Sequence, residues 1–286
     1  MTTTASEAVE DAARDRVIVT VDALRAELAA GATPAILDAR WGPDGVSDFE
    51  AGHLPDAVCA ELGPTLAGPL RSQLGQPLPA IDELRARARR WGLRPGQPVV
   101  VYDDLGGTAA ARLWWLLRYG GVRSVRILDG GFGAWRAAGG PIGFGTVDVA
   151  PADVELPCGR LPIIHVDEAS WWPERGALLD ARPPDRFRGE VEPIGPRAGH
   201  IPGAINAPAA DCLLPDGRFR PADELASYFE SLRVARASYS AVYSGCGFSA
   251  CLLIAALSSI SRPAALYPGC WLQWSSDPDR PVATGA

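Results

Sequence analysis

The chain has 286 residues, 47% hydrophobic and 21% charged, a balance that excludes wholesale disorder and allows one large domain or two ordinary ones. With 27 basic and 34 acidic residues its net charge is −7, which argues against a nucleic-acid partner, since that requires a basic footprint. No apolar run approaches the roughly 20 residues of a membrane-crossing helix. Residues 1–16 lack the basic and apolar regions of a signal peptide, so a cytoplasmic protein with no membrane partner is expected.

In chain order, residues 1–16 read as a mobile polar tail. A first α/β domain is expected over residues 17–142. In it Asp82 to Trp91 shows helical spacing with charges on one face, and Pro98-Val99-Val100-Val101-Tyr102 reads as a buried parallel strand. An apolar helix from Ala109 to Tyr119 follows. Residues 143–161, rich in Pro and Gly, read as a linker. A second α/β domain is expected over 162–286, with a helix from Ala222 to Leu232, a strand Ser240-Ala241-Val242-Tyr243 and an apolar helix from Ala250 to Ile260. Strand, loop, helix, strand in this order implies parallel sheets flanked by helices.

The two halves repeat one another. Ala35-Ile36-Leu37-Asp38-Ala39-Arg40 returns as Ala177-Leu178-Leu179-Asp180-Ala181-Arg182, and Gly52-His53-Leu54-Pro55 as Gly199-His200-Ile201-Pro202. Val101-Tyr102 returns as Val242-Tyr243, and Leu128-Asp129-Gly130-Gly131 as Leu266-Tyr267-Pro268-Gly269. Four matches in one order, each roughly 140 residues apart, mark a duplicated domain.

The six cysteines form no C-x-x-C pair, and the three histidines stand apart from them and from one another. Neither a disulfide framework nor a zinc site is expected. One cysteine is differently placed. Ligands of open α/β sheets sit beyond the carboxyl ends of the strands. There the second half carries Ser244-Gly245-Cys246-Gly247-Phe248-Ser249, between a strand and a helix. Two glycines let the chain curl so that successive amides converge, and such a nest at a helix N-terminus favours an anion, a thiolate included. From these residues alone Cys246 reads either as a reactive thiol or as a structural cysteine in a glycine turn.

The Asp-Ala-Arg and Gly-His-Leu/Ile-Pro pairs, Arg186-Phe187-Arg188-Gly189 and Tyr267-Pro268-Gly269-Cys270-Trp271-Leu272-Gln273-Trp274 resemble the tandem-domain rhodaneses, the thiosulfate or 3-mercaptopyruvate sulfurtransferases. The resemblance implies two rhodanese-like domains, the first non-catalytic, in keeping with Asp103 at its nucleophile position. It implies transfer of sulfane sulfur from a small anionic donor, through a cysteine persulfide, to cyanide, a thiol or a protein acceptor. On this reading Cys246 is the catalytic residue, set in a loop of Ser244, Gly245, Gly247, Phe248 and Ser249. Arg186 is the candidate clamp for the donor, with Arg197 the next; the alternative for Arg186 is a domain-interface salt bridge. His53 and His200 are expected to fix turns. No motif for a nucleotide, flavin or metal is found, so no cofactor is called for.

The loop departs from the family pattern. Aligned on Val242-Tyr243, the nucleophile position is Ser244, which cannot form a persulfide, and the cysteine lies two residues later. The family's supporting acid and histidine fall near Gly63 and Gln76. Two readings follow: sulfur transfer through Cys246, or a binding or regulatory protein that holds an anion without turnover.

Overall fold

In a computed structural model the described residues are 12–40, 45–60, 78–232, 234 and 239–285, which leaves Gly63 and Gln76 outside them. The chain forms two compact units. Of the described residues, the first holds those up to Ala60, Pro79–Leu161 and Leu214–Phe219; the second holds Leu78, Pro162–Leu213 and Arg220 onward.

The first unit is built on a parallel sheet of β1 (Ile18–Val19), β2 (Ala35–Asp38), β3 (Val58–Cys59), β4 (Val99–Tyr102) and β5 (Val125–Leu128), in the order β1-β5-β4-β2-β3. Its central strand β4 is buried at every residue, as an all-apolar Val-Val-Val-Tyr run covered on both faces must be. The helix following β4 spans Thr108–Gly120, entered through Gly107 in the left-handed conformation at φ 77°. The second unit repeats the plan with β6 (Ala177–Asp180), β7 (Ile205–Asn206), β8 (Ser240–Tyr243) and β9 (Ala264–Leu266), ordered β7-β6-β8-β9. The place of β1 is taken by a single bridge from Ile163 to Leu266. Asp38 pairs in register with Tyr102, and Asp180 with Tyr243, so the duplication extends to single residues.

Of the expected tail, residues 12–14 form a helical turn, and the Val17 amide donates to the Arg14 carbonyl at 2.9 Å. The stretch 143–161 has little regular structure but packs on the first unit. Leu156 is fully buried there, and its carbonyl accepts from Arg85 at 2.9 Å.

The repeated motifs hold the loops to the ends of the strands. Arg40 folds back on Asp38, with Nε 2.9 Å from Oδ2, and its Nη2 donates to the Gly52 carbonyl at 2.6 Å. Arg182 does the same with Asp180 at 3.0 Å and the Gly199 carbonyl at 2.7 Å. Both aspartates are fully buried, so removing either partner strands a charge at a cost of about 3–5 kcal/mol. The following histidines secure the same turns. His53 Nδ1 lies 2.9 Å from the Phe49 carbonyl and its ring stacks on Phe49. His200 Nδ1 lies 2.8 Å from the Phe187 carbonyl, with its ring on Phe187. Both histidines are structural in this arrangement.

One repeat match shifts by a residue. The Phe132 amide donates to the Asp103 carbonyl at 2.8 Å and the Trp271 amide to the Ser244 carbonyl at 2.8 Å, so these two aromatics correspond. Gly131 therefore corresponds to Cys270, not to Gly269. Both sit at φ 58°, a left-handed conformation that glycine adopts freely and cysteine only under local constraint.

Candidate active site

The apolar strand β8 ends at Tyr243, and the helix Phe248–Ser259 begins four residues after Ser244. Gly247 makes the turn possible with φ 92°, and its amide donates to Ser244 Oγ at 2.8 Å. Ser244 is almost wholly buried, Cys246 is half-buried, and Phe248 and Ser249 open the helix half-buried.

The first unit shows what this geometry binds. After β4, Asp103 turns its carboxylate into the equivalent seat. Its Oδ1 accepts the amides of Leu105 at 3.0 Å and Gly107 at 2.8 Å, and its Oδ2 that of Ala110 at 2.8 Å. Burial pushes the Asp103 pKa up, against the lowering pull of these amides. An anionic side chain thus fills the nest of one copy, and a neutral hydroxyl lies at the base of the other.

Arg186 lies against the loop of the second unit. A Cβ added at Gly245 would stand 2.9 Å from its Nη2 and 3.1 Å from its Nη1, so only glycine admits this approach. Its Nη2 donates to Glu192 Oε1 at 2.9 Å, while its Nε is buried and has no hydrogen-bond partner among the described residues. A buried cationic donor without an acceptor is a place for an anionic ligand.

Glu192 went unnoticed in the sequence. It lies in the irregular segment after Arg186-Phe187-Arg188-Gly189, and its side chain is 4% exposed. Its Oε1 accepts Arg186 and the amides of Ile194 and Gly195, both at 3.0 Å, and its Oε2 accepts Arg182 Nη1 at 3.1 Å. Burial works to raise its pKa, but the amides of Gly195 and Ile194 and the Arg186 charge outweigh burial and hold the carboxyl below its ordinary value. The signal available in the sequence was weak: an acidic residue in a Pro- and Gly-rich loop that also supplies arginines.

Arg197 is placed elsewhere. Its donors go to the carbonyls of Ser275 at 2.8 Å, Arg280 at 2.9 Å, Trp274 at 3.2 Å and Asp277, at the end of the helix Cys270–Ser276. There it caps a helix C-terminus whose carbonyls lack partners within the helix. The structure thus brings Arg186 to the glycine loop and gives Arg197 to helix capping. Among the described residues no cluster of side chains suited to a metal ion occurs, and no helix is long and apolar enough to cross a membrane.

A parallel sheet whose central strand opens into a glycine loop at a helix N-terminus, made twice in one chain, defines a duplicated α/β protein of rhodanese type. Residues 20–138 and 166–277 each match the model of the Rhodanese-like domain, and the chain belongs to the rhodanese family. It is 42% identical over 286 residues to the Mycobacterium tuberculosis protein named "Putative thiosulfate sulfurtransferase SseB", covering 96% of this chain and 99% of that one. It is 30% identical to the 3-mercaptopyruvate sulfurtransferase of Escherichia coli K12, covering 86% of this chain and 91% of the relative. The crystal structure of SseA from Escherichia coli, described as a 3-mercaptopyruvate sulfotransferase, superposes with a TM-score of 0.77 at 28% identity. That superposition covers 89% of this chain and 98% of SseA.

Proposed function

We propose that the protein is a sulfurtransferase that moves sulfane sulfur from a small anionic donor, of the thiosulfate or 3-mercaptopyruvate type, to a thiophilic acceptor. The observation that carries this reading is the Arg186 guanidinium laid against Gly245, with a buried Nε that has no partner among the described residues, beside a loop that holds a half-buried thiol. The family relation supports the same class of reaction.

With thiosulfate as donor, the Cys246 thiolate attacks the outer sulfur and forms a new S–S bond. The sulfur–sulfur bond of the donor breaks and sulfite leaves with its electron pair. The acceptor, cyanide or a thiolate, then attacks the outer sulfur of the persulfide and releases Cys246 as thiolate. Arg186 holds the oxyanion of the donor, and the loop amides with the helix N-terminus stabilise charge on the sulfur. Ser244 cannot serve as the carrier, since a serine hydroxyl forms no persulfide. Its Oγ instead engages the Gly247 amide, so one loop donor is already committed. A cytoplasmic setting, with a protein or small thiol as acceptor, belongs to the same proposal and fits six cysteines present as thiols.

The experiment is intact-peptide mass spectrometry after incubation with thiosulfate. A gain of about 32 Da, one sulfur atom, on the peptide holding Cys246 is expected. No adduct on any cysteine would overturn the sulfurtransferase reading in favour of an anion-binding protein without turnover.

A further inference from the structure

Among the described residues the Arg186 guanidinium makes one hydrogen bond, from Nη2 to Glu192 at 2.9 Å, and on another side it meets Gly245, which offers no side chain. Glu192 is itself held from several directions. The amides of Ile194 and Gly195 fix Oε1, and Arg182, anchored on Asp180 and the Gly199 carbonyl, fixes Oε2. An unbroken chain of charge-assisted hydrogen bonds therefore runs from the end of β6, through Arg182 and Glu192, to Arg186. The strand supplies rigidity, and the carboxylate transmits it.

We propose that Glu192 is a positioning residue for the sulfur donor: it fixes Arg186 flat against Gly245, with the guanidinium Nε turned to receive an anion. The inference rests on the reading of Arg186 as the donor clamp. A carboxylate is needed because each of its oxygens accepts from a different arginine. An amide has one acceptor oxygen and sets an N–H against the other guanidinium. In Glu192→Gln one of the two links must break. Arg186 then gains rotamer freedom, and its long side chain turns toward water.

The test compares alkylation of Cys246 in the full chain by iodoacetate, an anion, and by iodoacetamide, its uncharged analogue, followed on the Cys246 peptide. This readout needs the thiol to be reachable but not to transfer sulfur. A correctly placed Arg186 favours the anion, so Arg186→Ala should lower the iodoacetate-to-iodoacetamide rate ratio, by about 10-fold for a lost charge-assisted contact. Glu192→Gln should lower the ratio nearly as far, with the iodoacetamide rate close to wild type. In the chain that turns over, it should raise the thiosulfate KM with little change in kcat, since Glu192 touches neither reacting sulfur.

A fall in the ratio for Arg186→Ala but not for Glu192→Gln would overturn the positioning role while leaving the clamp intact. An equal change in both alkylation rates with Glu192→Gln would also overturn it, as the mark of a loop loosened as a whole. An unchanged ratio in both variants would overturn the clamp, and the inference with it. If Glu192→Gln does not fold, Glu192→Asp carries the same test, because it keeps the charge but shortens the reach by one methylene. There an unchanged ratio overturns the role and a lowered one supports it.

Discussion

The hydroxyl oxygen of Ser244 accepts the amide of Gly247 at 2.8 Å, in the seat that the Asp103 carboxylate occupies in the first unit. On the proposed reading the thiol two residues along works with the Gly247 amide already engaged. A reacting atom misplaced by about 1 Å can lose on the order of 100-fold in rate. Cys246→Ser should abolish sulfur transfer. The double variant Ser244→Cys with Cys246→Ser puts the thiol at the base of the nest and should exceed the wild-type rate. Thiocyanate formation from thiosulfate and cyanide reads both, and activity that survives Cys246→Ser would refute the assignment of the nucleophile.

Gly245 permits the approach of Arg186, and the consequence can be measured. In Gly245→Ala the new methyl would stand 2.9 Å from Nη2, so the guanidinium must move. The guanidinium is the far end of a flexible side chain, so the fold should survive with only a small change in Tm. The donor KM should rise toward that of Arg186→Ala, whose loss of a charge-assisted hydrogen bond corresponds to about 1.5–3 kcal/mol. Steady-state kinetics with thiosulfate check this, and an unchanged KM in both variants would place the clamp elsewhere.

Asp103 holds two loop amides, of Leu105 and Gly107, and the helix amide of Ala110 in the first unit. Asp103→Ala leaves those donors without their acceptor and should lower stability by about 1–3 kcal/mol, read from urea unfolding. The pH dependence has a definite sign. Burial raises the Asp103 pKa in the folded state above its unfolded value, so the folded chain binds this proton more readily. Its contribution to stability should increase as pH falls through the folded value toward the ordinary carboxylate range, then level off. Asp103→Asn should remove that slope. An identical slope in the variant would show that another group carries it.

The six thiols should react unequally. Burial pushes the Cys212 pKa up to about 12, and Cys251 and Cys270 are fully enclosed, whereas Cys246 is half-buried at the loop. Iodoacetamide on the native protein near neutral pH should label the Cys246 peptide and spare those three until denaturant is added. Peptide mapping after brief labelling decides it. Labelling of Cys212 ahead of Cys246 would contradict the assignment of the loop thiol as the reactive one.

Much of the fold is legible in the sequence. The buried strands at Val99–Tyr102 and Ser240–Tyr243 follow from apolar runs between turn residues, and the helix after the second starts two residues before the expected Ala250. Gly247 explains the early start: its left-handed turn closes the loop in four residues, where the first unit uses five from Asp103 to Gly107. The one-residue slip at Cys270 was hidden because no side-chain rule announces a cysteine in a left-handed conformation.

The sequence by itself determined the duplication, the parallel α/β plan and the place of the glycine loop, because these depend on local periodicity and on motifs whose order along the chain is their signal. Tertiary structure alone decided which charges meet. Arg186 and Arg197 are equally basic in the sequence, yet one lies on Gly245 and the other binds the carbonyls at a helix end. Glu192 became visible as the link between Arg182 and Arg186 only once the irregular loop was folded back on the end of the strand. The pairing of buried charges depends on distances that neither hydrophobic pattern nor residue spacing encodes, and a carboxylate reveals its role only through the donors that surround it.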